Sequence, residues 1–384
     1  MRRFFLLGAL TIFAFLALWA RLFFWQIVSY NKFKALADKQ HFYQLELPPI
    51  RGEILSADGT PLVANQTAYL VFAEKKKIED EEGFIEDIAP ILGEEVASVS
   101  AIMDASPVWV PIKHQVEEQA AQKLRDLKLN GLGLAREDKR FYPEASMAAH
   151  LLGFVGKNNE GQPQGYFGLE GFYDKELRGQ SGYLRQERDA VGNPIIIGEA
   201  ERFEPKNGRS LVLYIDKTVQ FLVEEKLKKG LSRYGAKAGV VIVMDPKTGG
   251  ILASASYPSY DPGLFGEFPG EYYRNPVVAD SYEPGSTFKP LVMAAAVNAG
   301  KRKPTDTVEK QGPVRVNEYS IKTWNNEYNG MISMTQILQY SSNVGMVHIS
   351  NKLGNESLLS FLKSIGFGEK TGIDLQDEAS PVLR

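Results

Sequence analysis

Gly285-Ser286-Thr287-Phe288-Lys289-Pro290, read with Ser341-Ser342-Asn343 about fifty residues later, decides how this 384-residue chain is read. Positions i and i+3 of a helix share a face. A helix opening at Pro284-Gly285 therefore presents the Ser286 hydroxyl and the Lys289 amine to one another at hydrogen-bond range. A serine nucleophile beside an amine base is the minimum geometry for acyl transfer. Residues 291–297 are apolar and mostly good helix formers, and Gly300 sits where a helix stops. Pro290 is tolerated, because first-turn amides have no partner inside the helix. Those same amides, with the positive end of the helix dipole, favour the oxyanion that forms when a serine attacks a carbonyl.

Spacing alone is weak evidence, since Ser-x-x-Lys occurs three times, at Ser29 to Lys32, Ser286 to Lys289 and Ser360 to Lys363. The first follows an apolar N-terminal segment and the third lies in an amphipathic stretch, where a surface serine and a solvated lysine explain it. Only the middle one has a turn before it and an apolar helix after it.

Composition narrows the field. A net charge of −3 gives no support to nucleic-acid binding, which wants a clearly basic domain. There is no cysteine, so disulfides and thiolate metal sites are excluded, and the four histidines lack ligand spacing. No cofactor or metal is expected. Residues 4–20 carry no charge and the apolar character resumes after Arg21 through Val28, long enough to cross a ~30 Å hydrocarbon core. No small-x-small cleavage site follows, so residues 1–28 read as an uncleaved single-pass membrane anchor. Arg2 and Arg3 favour a cytoplasmic N-terminus, with the bulk of the chain on the other side of the cytoplasmic membrane.

Beyond the anchor, Tyr30 to Gln44 reads as a polar helix or linker. Residues 50–62 form a hairpin around Ala57-Asp58-Gly59-Thr60, and residues 69–73 a strand. Residues 77–132 read as mostly helical, with 116–127 an exposed helix. Residues 140–170 are rich in glycine and aromatics, and the polar stretches 185–190 and 205–209 connect two domains. From Ser210, residues 211–216 read as a strand and 218–231 as a helix. Residues 239–245 and 250–256 are two strands joined by Pro246-Lys247-Thr248-Gly249, and their near-continuous apolar content predicts burial on both faces.

Taken together, these residues resemble the class B penicillin-binding proteins, membrane-anchored peptidoglycan D,D-transpeptidases, over nearly the whole chain. Ser-x-x-Lys with Ser-x-Asn and Lys-Ser/Thr-Gly is the known signature of that family and of the serine β-lactamases. Arg51-Gly52-Glu53-Ile54 with Asp58-Gly59 and Leu62 is similar to the first pedestal motif, departing at Ser56-Ala57 where an Asp-Arg pair is usual. Arg140 to Pro143 and Gly168-Leu169-Glu170 are similar to later pedestal motifs. Asp245-Pro246-Lys247-Thr248-Gly249 to Tyr257-Pro258, with Asp261-Pro262, resembles the opening hairpin of a transpeptidase domain.

The resemblance implies an α+β fold: an N-terminal transmembrane helix (1–28), an elongated pedestal or dimerisation domain (29–205), and the N-terminal part of a serine β-lactamase-like transpeptidase domain (206–384). It implies Ser286 as the acylated nucleophile and Lys289 as its general base. Ser341 would relay a proton toward the leaving group, and Asn343 would hold a substrate amide. To accept a proton near neutral pH, Lys289 must fall well below its ordinary pKa of ~10.4. Asn in the third place of the second motif resembles the division type more than the elongation type, where Asp is common. The implied partners are peptidoglycan stem peptides, β-lactams as covalent inhibitors, a polytopic glycosyltransferase and other division proteins.

By the family's order the third motif lies beyond Arg384. Lys247-Thr248-Gly249 and Lys370-Thr371-Gly372 spell it, yet both are read as decoys, one a hairpin turn and the other a loop. The expectation is a truncated member whose 384-residue form neither folds its second domain fully nor cross-links efficiently, and whose hairpin at 239–256 exposes an unpaired edge. Two alternatives stay open: a non-catalytic anchor and pedestal scaffold, and a β-lactam sensor or serine β-lactamase.

Overall fold

The computed structural model describes residues 2–104, 108–187, 195, 200–310, 312–328 and 330–380. The polar connector expected at 185–190 therefore falls partly outside the described residues, as does Arg384. The N-terminal helix Arg2–Phe23 runs on through one π-helical turn, Phe24–Val28. Its apolar span Phe4–Val28 covers 25 residues at a mean hydropathy of 2.0, and none of them is buried. By length and composition it can cross a membrane. The next helix, Tyr30–His41, is shorter than expected, because Phe42–Leu47 is instead a strand. It pairs antiparallel with Gly182–Glu187, a partner too distant in sequence for local pattern to reveal.

Contacts divide the chain into two compact units, one of residues 1–144 and 173–214, the other of 145–172 and 215–384. Residues 145–172 thus pack with the second unit although they precede the 205/206 boundary implied by the resemblance.

In the first unit the spine is the long strand Pro61–Glu74. Along it lie Trp109–Glu117 on one side and Leu132–Phe141 on the other, both antiparallel. Its first residues pair with Ile54–Leu55, which Leu211–Val212 joins in parallel. Helices Glu81–Leu92, Val96–Met103 and Glu118–Asp126 cover one face and close a core of Val71, Phe84, Ile88, Val99, Met103, Ile112 and Leu124. At Ser56, where the family resemblance expects an acidic residue, the hairpin turn closes without an ion pair. The fully buried Ser56 hydroxyl donates to Asp58 Oδ1 at 2.6 Å, and Asp58 accepts from Thr60 N at 3.0 Å. These bonds to the ionised form hold Asp58 down to about 2.

Two expectations for this unit are corrected. The stretch 77–132, expected to be mostly helical with loops, also holds a strand, Trp109–Glu117, whose buried side is Val110, Ile112 and Val116. Its period-two pattern breaks at Gln115, which sits at φ 55°, and that break hides the strand in the sequence. Residues 211–216 are not one strand either: pairing stops after Val212, and Asp216 instead caps a helix, accepting from Thr218 N and Val219 N.

That helix, Lys217–Tyr234, opens the 215–384 part of the second unit and packs on the hairpin Gly239–Met244 and Ile251–Tyr257. Buried Gln220 fastens the two, donating to Ser254 O and accepting from Ser254 N. The hairpin forms a two-stranded sheet among the described residues. Burial on both faces, expected from its apolar runs, holds only in the middle of the second strand, where Ala253, Ser254 and Ala255 are all buried. The first strand alternates, leaving Val240, Ile242 and Met244 about half exposed, because the helix covers only one face. Residues 145–172 attach through an aromatic cluster in which Phe154 stacks on Phe265 at 4.2 Å and Tyr260 donates to Ala149 O at 3.1 Å.

Candidate active site

The strongest punctuation in the second unit lies around Lys289 and the Ser341–Asn343 corner. Gly285, at φ 59°, takes a left-handed conformation that suits glycine and turns the chain into a 3-10 segment, Gly285–Phe288. Side chains three apart eclipse in that geometry, so Ser286 and Lys289 share one side of the turn. Thr287 Oγ1 donates to Pro284 O at 2.6 Å and closes it. The α-helix Lys289–Asn298 follows, with Pro290 in its first turn and Gly300 just beyond its end at φ 65°. Its small residues Ala295 and Ala296 let Met293 reach a core of Ile332, Ile337, Met346, Ile349 and Leu353. Phe288 leans on that core and meets Phe367 edge-on at 6.0 Å, which pins the turn.

A second device supplies the corner. Helix Met334–Gln339 opens with a capping box: Ser333 Oγ accepts from Gln336 N, and Gln336 Oε1 accepts from Ser333 N. It ends with a paired closure, Ser342 N donating to Ile337 O at 2.9 Å and Ser341 N to Leu338 O at 3.1 Å. That closure requires a left-handed residue, ordinarily glycine, and Ser341 takes it at φ 49°. Ser342 then caps the next helix, Asn343–Leu353, its buried hydroxyl accepting from Gly345 N at 3.0 Å. The residue that closes one helix, Ser341, and the residue that caps the next, Ser342, are consecutive. Gly345 makes the corner possible, since a Cβ there would lie 2.7 Å from buried Ile337 Cγ1.

Lys289 reaches across to this corner. Its Nζ donates to Ser341 O at 2.6 Å, to Ser341 Oγ at 2.9 Å and to Asn343 Oδ1 at 2.7 Å. The other end of the Asn343 amide donates to Lys322 O at 3.1 Å, which fixes which way the amide points. Partial burial lowers the Lys289 pKa from its ordinary value. The three neutral oxygens favour its charged form and oppose that fall.

Lys289, Ser341 and Asn343 are therefore brought together. Ser286 stands exposed on the adjoining turn, and among the described residues the hydrogen bonds of Lys289 go to the corner rather than to Ser286 Oγ. An ammonium has three protons and here donates three bonds. As a neutral amine it keeps two donors and gains a lone pair, which either serine hydroxyl can fill. The sequence reading did not anticipate the strained Ser341 backbone, the capping role of Ser342 or the Asn343–Lys322 bond. Only the second had a signal, a serine directly before an apolar helix.

The two Lys-Thr-Gly sequences lie elsewhere in character. In Lys247-Thr248-Gly249, Asp245 accepts from Lys247 N and Thr248 Oγ1 in the hairpin turn. In Lys370-Thr371-Gly372, Glu378 accepts from Thr371 N and Oγ1 in a loop, and neither is on a strand. No group of three or more metal-ligating side chains occurs among the described residues.

Comparison with known proteins bears on the family. Residues 46–213 match the penicillin-binding protein dimerisation domain, and residues 239–383 match the penicillin-binding protein transpeptidase domain. The chain belongs to the penicillin-binding proteins. It is 32% identical to stage V sporulation protein D of Bacillus subtilis, over 97% of this chain and 58% of that protein. It is 31% identical to a probable peptidoglycan D,D-transpeptidase, PenA, of Neisseria meningitidis, over 96% of this chain and 63% of the other. The chain thus spans about three fifths of the length of these relatives. Its fold matches the crystal structure of penicillin-binding protein 2X from Streptococcus thermophilus with a TM-score of 0.72 at 23% identity, covering 89% of this chain and 55% of that one. The mixed α+β fold with an apolar N-terminal helix is that of the family.

Proposed function

We propose that this penicillin-binding protein is a peptidoglycan D,D-transpeptidase that cross-links stem peptides through a Ser286 acyl-enzyme and is acylated there by β-lactams. The observation that carries the reading is Lys289 Nζ, held within 2.9 Å of both Ser341 Oγ and Asn343 Oδ1 on the turn beside Ser286. Neutral Lys289 takes the Ser286 proton as Oγ bonds to the scissile carbonyl carbon. The carbonyl electron pair becomes an oxyanion facing the first-turn amides. Collapse of that intermediate breaks the carbon–nitrogen bond, and the departing amine takes its proton from Lys289 through Ser341 Oγ. An amine of a second stem peptide then attacks the ester carbonyl carbon and gives a proton to Lys289; the carbon–Ser286 Oγ bond breaks, and Lys289 returns that proton to Ser286 Oγ. Among the described residues Asn343 keeps one amide proton and one lone pair unused, enough to hold a substrate amide.

The apolar span Phe4–Val28 serves as the membrane anchor in this reading, with Arg2 and Arg3 on the cytoplasmic side and the catalytic unit outside. The partners are a polytopic glycosyltransferase and other division proteins, consistent with the division-type Asn343. The detergent-solubilised 384-residue chain incubated with a fluorescent penicillin should gain one adduct by intact mass, lost in Ser286→Ala. A folded chain that gains none would sink the reading and favour the scaffold.

A further inference from the structure

We propose that Thr323 is a positioning residue for acylation: by fastening the turn 323–327 it holds the Lys322 carbonyl against one end of the Asn343 amide, and so keeps the donor end of that amide off neutral Lys289. The inference rests on Ser286 acylation with Lys289 as base, as proposed above. It starts from Asn343, whose Oδ1 accepts from Lys289 Nζ at 2.7 Å while Nδ2 donates to Lys322 O at 3.1 Å. A half-turn about the last side-chain bond exchanges oxygen and nitrogen at nearly the same two places. Only the partners decide which end faces which.

The two protonation states of Lys289 choose differently. An ammonium only donates, so it selects Oδ1 by itself. The neutral amine, which is the reactive form, donates or accepts, and an inverted amide would give it a hydrogen bond from Nδ2. That bond would occupy the lone pair that must take the Ser286 proton. Lys322 O accepts and never donates, so it takes Nδ2 alone and keeps Oδ1 toward the amine. Among the described residues Lys289 touches three neutral oxygens, and no carboxylate or second cation shifts it.

The carbonyl is a fixed point because the chain is tied on both sides of it. Before it, Tyr319–Ile321 pairs antiparallel with Val314–Val316, Ile321 lying opposite Val314. After it, Thr323 is buried and its hydroxyl donates to Glu327 O at 3.2 Å. Asn326 N donates to Thr323 O at 3.3 Å, and Asn326 takes the left-handed φ of 55° that asparagine tolerates. Exposed Asn325 clamps Glu327 twice, donating to Oε2 at 2.7 Å and accepting from its amide at 3.2 Å. Thr323 adjoins the carbonyl directly, and a hydrogen bond lost at a buried position is not made good by water. Its hydroxyl is therefore the tie whose loss frees Lys322 O most.

The test is the pH profile of acylation. The 384-residue chain in detergent is incubated with benzylpenicillin from neutral to alkaline pH, and intact-mass time courses give the second-order rate constant at each pH. Thr323→Val removes the hydroxyl with little change of shape. It should lower the plateau about tenfold and move the midpoint down by about half a unit or more, because the freed amide stops accepting from the ammonium and donates to the neutral amine instead. Thr323→Ser keeps a hydroxyl and should restore both. Asn325→Ala loosens the same turn from its exposed side and should move the midpoint the same way by less; where Thr323→Val does not fold, this variant decides. A midpoint that stays in place or rises, even with a lowered plateau, overturns this inference alone and leaves Thr323 a structural residue. Absence of any adduct on the unsubstituted chain overturns the acylation reading, and this one with it.

Discussion

Ser286–Lys289 and Ser360–Lys363 have the same residue types at the same spacing on helical backbone, yet only one lysine is drawn into a cluster. Ser360 and Lys363 lie exposed on the helix Asn355–Ser364, and Lys363 in its last turn is where a cation complements the helix dipole. Lys289 is half buried and touches three oxygens of a different turn. The spacing sets up a pair. What separates the two is the Ser341–Asn343 corner, contributed from about fifty residues away.

The sharpest way to break this comparison is to replace each lysine in turn. Lys289→Met should lower the second-order constant of penicillin acylation by about 10³-fold, in the range of general-base loss, whereas Lys363→Met should leave it unchanged. Equal effects would mean that the corner adds nothing. The pH dependence carries the same contrast. A base acts in its neutral form, so acylation should climb with pH as Lys289 loses its proton. Because burial lowers the Lys289 pKa, the plateau should come at a lower pH than an ordinary lysine, at ~10.4, would set. Stopped-flow acylation across pH checks this, and Lys363→Met should trace the same curve as the unsubstituted chain.

How much of this was legible in the chain depends on how local the determinants are. The turn, proline and apolar run around Ser286 act within a dozen residues, and the helix Lys289–Asn298 follows the reading closely. The strand Trp109–Glu117 escaped, because the left-handed Gln115 interrupts its alternation and its partner lies far off in sequence. The hairpin at 239–257 misled in part: an apolar run reports the capacity to be buried, and the elements packed against it decide that Ala253 to Ala255 are covered on both faces while Val240, Ile242 and Met244 stay half exposed. At the site, residue types were readable from the motifs. The destination of the lysine amine was not, since three residues of spacing place Ser286 and Lys289 on one side but a flexible four-carbon stem can reach elsewhere.

A finer cut separates what Ser341 does for the fold from what it does for Lys289. The helix closure at Ser341 wants glycine, and a side chain in the left-handed region costs roughly 1 kcal/mol. Ser341→Gly should therefore keep or raise the thermal midpoint while lowering acylation about 10²-fold through loss of the hydroxyl at 2.9 Å from Lys289. Stability and activity moving in opposite directions would mark the strain as retained for the hydroxyl. A parallel fall in both would make Ser341 merely structural.

The smallest effect belongs to Ser342, the neighbour that faces the other way. Its hydroxyl is buried and bonds Gly345 N, so it serves the start of helix Asn343–Leu353 and makes no bond to Lys289. Ser342→Ala removes that cap and should cost about 1 kcal/mol of stability, read as a lowered denaturation midpoint. Asn343 begins the same helix, so a frayed first turn would move its amide away from Lys289. If the corner is held by its capping bonds, acylation by a fluorescent penicillin falls several-fold. If acylation is unchanged at the lowered midpoint, the packing of Gly345 against Ile337 is enough to hold Asn343 in place. The consecutive serines would then divide cleanly, one for chemistry and one for stability.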